Sequence, residues 1–169
     1  MALKHPFCFE VIGTETQITM QLACREPDVG FVRSQIDTLL PEVVIRQEPQ
    51  YLERHFDAGA EEWVGAVGFG LRHECVIPIE TPNRFDPDPL NGIVASLSLS
   101  EAREAQVLQI MCQPVVNDWS SELKLSVLDA DGSPYFSDAP ELVGYAREKA
   151  ASPLYATTIR SGARAASCE

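Results

Sequence analysis

The chain has 169 residues, 45% of them hydrophobic, enough for one globular domain with a buried core. A formal net charge of -12, from 25 acidic against 13 basic residues, repels phosphate and argues against direct nucleic-acid binding. No window approaches the roughly 18 apolar residues of a membrane span, and the start, MALKHPFCFEVIG, lacks a cleavable leader pattern.

Residues 7 to 24 alternate with period two. Phe7, Phe9 and Val11, then Ile18, Met20, Leu22 and Cys24, share one side, with Gln17, Thr19 and Gln21 between. This predicts a hairpin, turning after Gly13, with its other face wet. Pro27 suits a first helical turn, and Val29, Val32, Ile36, Leu39 and Leu40 fall on one face of a helix stopped by Pro41. A strand is expected around Val43 to Ile45, and an edge strand or irregular extension through Pro49.

Trp63, Gly65, Val67, Phe69 and Leu71 alternate, and the apolar run continues to about Glu80. One long bent strand or two collinear ones are expected over 62 to 80, with Pro78 marking an edge or kink and the glycines of VGAVGFG a twisted or bulged strand. TPNRFDPDP reads as a turn-rich loop. It leads to a short amphipathic helix carrying Leu90, Ile93, Val94 and Leu97, and then AQVLQIMCQPVV reads as a strand buried on both faces. Beyond Asn117 the signal weakens, and 129–140 is expected to be a mobile loop. A helix over 140 to 151 and a last strand around Leu154 to Ile159 follow. The end, RSGARAASCE, is expected to be helical only if more chain follows it.

Together these elements predict a single α+β domain over 1–169. Its sheet is mostly antiparallel, with helices packed on one face, in a two-layer sandwich with ferredoxin-like elements.

Candidate chemistry is sparse. There is no GxxxxGK[ST], no HExxH and no GxSxG, so no cofactor is expected and the chain is read as non-catalytic. Five cysteines, Cys8, Cys24, Cys75, Cys112 and Cys168, form no CxxC pair. Four lie among apolar residues and read as buried free thiols, which suggests a reducing, cytoplasmic compartment. His73 and Cys75 would share one strand face, without a second ligand pair to complete a tetrahedral metal site. Asp86, Asp88 and His73 are the residues a small metal-dependent hydrolase would use; the competing reading makes the aspartates helix caps. A regulatory or structural protein of a phage or mobile element, with an acidic surface mimicking nucleic acid, is a further alternative.

The stretch VIPIETPNRFDPDPLNGIVASLSLSEAREAQVLQIMCQPVVNDW, residues 76 to 119, resembles the region preceding the motor core in type IV secretion and conjugative DNA-transfer ATPases of the coupling-protein-like kind. Pro78 and Ile79, Asp88 through Leu90, Glu104, Gln109, Pro114 and Trp119 carry the resemblance in order. Glu80 departs from it, standing where a basic residue is common, and no motor nucleotide loop lies within these residues. The resemblance implies a non-catalytic adaptor or oligomerisation module of a DNA-translocating ATPase, whose partner is the motor domain or a second copy of the chain. Trp63, Phe85, Leu90 and Trp119 are the expected interface anchors.

Overall fold

The computed structural model describes residues 5–57, 59, 62–79, 86–115 and 118–166. Five strands, β1 (Phe7–Thr14), β2 (Ile18–Ala23), β3 (Trp63–Phe69), β4 (Ala105–Pro114) and β5 (Tyr155–Ala165), form one sheet in the order β2-β1-β4-β5-β3. All neighbours run antiparallel. Five helices accompany it: α1 (Val29–Leu39), α2 (Tyr51–Phe56), α3 (Pro89–Leu97), α4 (Trp119–Leu125) and α5 (Leu142–Lys149). The α+β class expected from the sequence, an antiparallel sheet with helices packed against it, is the one observed.

Local chemistry places these elements. The hairpin closes through Thr14, whose amide and hydroxyl both donate to the Gln17 carbonyl. Gly13 is therefore not the turn residue: it lies inside β1, buried, where a Cβ would come within 2.3 Å of the Leu97 carbonyl oxygen of α3. Asp88 caps α3 by accepting from the Leu90 amide at 2.9 Å, and Pro89 starts the helix, where a missing N–H costs nothing.

Two cores result. On one face of the sheet, Ile12 and Val107 pack with Tyr51, Leu52 and Phe56 of α2. The Tyr51 hydroxyl is fixed by Thr19 and Gln17. A second core forms away from the sheet: Val76, Val127 and Ala146 pack with Leu123, Leu142 and Val143, joining the turn after β3 to α4 and α5. Lys149, in the last turn of α5, donates to the carbonyls of Cys75 and Ile77 and ties that turn down.

Several local expectations are corrected. Val43 to Ile45 form no strand, because the segment after Pro41 runs irregularly and pairs with nothing among the described residues. β3 ends at Phe69, not near Glu80, since Gly70 opens a series of bends and turns that carries Val76 to the second core. His73 and Cys75 lie in those turns and share no strand face. β3 has no bulge; its register with β5 is continuous from Trp63↔Ala165 to Phe69↔Ile159. β5 runs to Ala165, so residues 160 to 165 are strand and not helix. No correction applies to segment 129–140, a loop of turns with Gly132 at φ 86 and a bridge between Leu128 and Pro134.

The cysteines also differ from one another. Cys8 is buried, Cys24 and Cys112 are half-buried and Cys75 is exposed; all four are free, and Cys168 lies outside the described residues. Burial first, then the nearby Glu10 carboxylate, push the Cys8 thiol up to about 12. Only the thiolate is a good nucleophile. A thiol-reactive disulfide reagent at pH 8 should label Cys75 within minutes and Cys8 only on unfolding, and Glu10→Gln should bring the Cys8 thiol down. Because the folded-state value is the raised one, the Cys8 contribution to stability is complete below pH 9 and declines between pH 9 and 12, as the unfolded thiol ionises first. Equal labelling of both thiols in folded protein would refute this.

Candidate functional site

The two faces of the sheet differ in chemistry. Cross-strand register puts Glu10, Gln21, Gln109 and Arg160 in one row over four strands, on the face that α2 covers. Glu10 is 3% exposed, and its two carboxylate oxygens accept from the Gln21 and Gln109 side-chain amides. Arg160 in turn donates to the side-chain oxygen Oε1 of Gln109. Every polar atom that this row uses to bond across the sheet meets a partner of the opposite kind, so the burial of Glu10 is compensated. At the β3–β5 end, Glu62 pairs with Arg103 at 3.2 Å and Arg164 at 3.7 Å. The Gly59 amide, with help from these two guanidinium groups, holds the Glu62 carboxyl below its usual range. Burial and the Arg164 charge lower the neighbouring His55.

The other face carries Ile18, Met20 and Leu22 from β2 and Phe7, Phe9, Val11 and Gly13 from β1. From β4 it carries Gln106, Leu108, Ile110, Cys112 and Pro114; β5 and β3 complete it with Tyr155 to Ala165 and Trp63 to Phe69, taken at alternate positions. None of these strand residues is charged. Among the described residues, the C-terminal end of α3 covers the face at one place, with Leu97 seated over Gly13 and Val11 buried nearby. The rest is open: Met20 is 60% exposed, Trp63 and Val67 63%, Phe69 57% and Ile159 37%. Phe7 meets the ring of Tyr155 edge-on across the sheet, with centroids 6.2 Å apart.

This inverts the expectation for the hairpin. The side bearing Phe7 and Phe9, patterned as the core side, is half-exposed, and the side read as wet, with Glu10 and Thr19, is the one beneath α2. Likewise β4 is buried on its Ala105, Val107 and Gln109 side and only half-buried on the other.

The expected anchors are scattered. Trp63 belongs to the open face; Leu90 is exposed in the first turn of α3, Trp119 in the first turn of α4, and Phe85 lies outside the described residues. Asp88 is engaged as a helix cap. Asp86 is exposed just before it, and His73 is exposed in the turns after β3. No group of three or more His, Cys, Asp or Glu able to hold a metal occurs among the described residues. Nor, among them, is any helix long and apolar enough to cross a membrane. The sequence signal for the open face was the run of alternating apolar residues in every strand; the missing part was that, among the described residues, no helix packs over most of it.

No curated protein matches the chain. No solved structure matches it either. The chain belongs to the family described as Domain of unknown function (DUF8128), whose sequence model matches residues 2–141, from β1 through α4 and the turns that follow it.

Proposed function

We propose that this chain is a non-catalytic interaction module that joins a DNA-translocating ATPase to its neighbours, working through the open face of its sheet. The observation that carries the reading is that face: it is uncharged and largely apolar across the sheet, exposed on β2, β5 and β3 and half-buried on most of β1 and β4. Contiguous exposed apolar patches are rare on monomers and mark interaction sites. The link to a translocase rests on the ordered resemblance of residues 76 to 119, whose elements run from the turn after β3 through α3 and β4 to the start of α4. In this reading the negative surface keeps the module off the transported DNA while the apolar face meets protein.

Calorimetry of the full chain against a purified motor domain of a conjugative DNA-transfer ATPase tests the reading. Saturable binding with a negative heat-capacity change, the mark of apolar burial, is the expected result. A chain that neither binds the motor nor associates with itself would overturn it.

A further inference from the structure

From the shape and charge of the open face, we infer that its occupant is a second copy of this chain, packed sheet against sheet in a closed two-fold dimer. The inference rests on the interaction reading above and names its partner. Strands lie about 4.8 Å apart and rise about 3.4 Å per residue. The part of the five-strand face that α3 leaves open therefore measures about 24 Å by about 20 Å, or about 1,000 Å² over two copies before side-chain relief is counted. That reaches the size at which a protein interface becomes specific.

Charge does not oppose this pairing. Two copies with a formal charge of -12 each repel wherever their acidic surfaces meet. The open face has no charged strand residue, and sheets packed face to face lie about 10 Å apart, which puts the outward-pointing charges of the two copies about 20 Å from one another. That is well beyond the ~8 Å screening length at physiological salt. β4 is the middle strand of the five, so a two-fold axis near Ile110 brings like face onto like face without leaving a strand unmatched. The α3 wall over Gly13 limits sliding along the strands.

Sedimentation velocity of the full chain over a concentration series tests this. The wild type should sediment at twice the monomer mass in the micromolar range. Val67→Asp sits on an exposed residue, so the fold should survive while a carboxylate enters the dimer and weakens it by at least ~100-fold. Ile159→Glu on the neighbouring strand is a second substitution on the same face and should act alike. Val44→Asp, exposed and outside the sheet, should leave the dimer unchanged. A wild type that stays monomeric, or a dimer indifferent to both Val67→Asp and Ile159→Glu, overturns the inference. A monomer that still binds the motor removes the homodimer and leaves the interaction reading in place; a dimer that ignores the motor does the reverse for the translocase link.

Discussion

Gly13→Ala is expected to destabilise the protein by about 3 kcal/mol, well beyond the usual loss from a surface substitution. The added methyl would stand 2.3 Å from the Leu97 carbonyl oxygen and 2.8 Å from the Leu97 Cβ, both far inside contact distance. Neither obstacle is the loose end of a side chain. The oxygen belongs to the backbone of α3, and Leu97 is itself buried, so relief requires the whole helix to move off the sheet. Ser100, buried beside it and donating to the same carbonyl, would lose its partner in that movement. Urea unfolding should show the lowered midpoint, with faster amide exchange over residues 89 to 100. A Gly13→Ala protein within about 0.5 kcal/mol of wild type would mean that α3 does not rest on β1 as described.

Glu10→Ala should cost about 3 to 4 kcal/mol, because it removes the acceptor at the centre of the buried row. The Gln21 and Gln109 amides would both lose their partner, and water has little access beneath α2. Glu10→Gln should cost roughly half as much: one oxygen still accepts, but the new amide nitrogen faces another donor. Glu15→Ala, in the exposed hairpin turn, is the control and should change stability by less than about 0.5 kcal/mol. Equal effects at Glu10 and Glu15 in urea unfolding would contradict the assigned row.

What could be seen in the sequence follows from how local the cause is. The hairpin, α3 and β4 were legible because their signals are short-range: strict alternation in 7–24, an Asp-Pro cap before Leu90, and an apolar run after Ala105. Val43 to Ile45 misled because three apolar residues satisfy strand propensity, yet no neighbouring strand offers them an edge. The end of β5 was hidden by its small residues. At Gly162 a Cβ would lie 3.3 Å from a Val107 methyl, a close approach set by a residue 55 positions away in sequence. α4 was not foreseen, since the core that Leu123 joins is built from Val76 and Ala146, which lie far from it in sequence, as well as from Val127.

The choice of covered face was the least legible feature, and the proposed function rests on it. In β1, Phe7, Phe9 and Val11 outweigh Cys8, Glu10 and Ile12 in hydrophobicity, so alternation alone assigns the first set to the core. Only tertiary information reverses this: α2 supplies Tyr51 and Phe56 to one side, and the Gln21, Gln109 and Arg160 partners that make Glu10 tolerable there are brought together by register. A strongly apolar face is left for something other than this chain's own helices to cover.

Hydroxyl-radical footprinting read by mass spectrometry tests that claim most directly. With the chain at a concentration that saturates its assembly, oxidation of Met20, Trp63 and Phe69 should fall several-fold relative to dilute chain, while Trp119 and Tyr135, exposed elsewhere, should keep their rates. Unchanged oxidation of the three face residues, in the concentrated chain and with the motor domain added, would contradict the account.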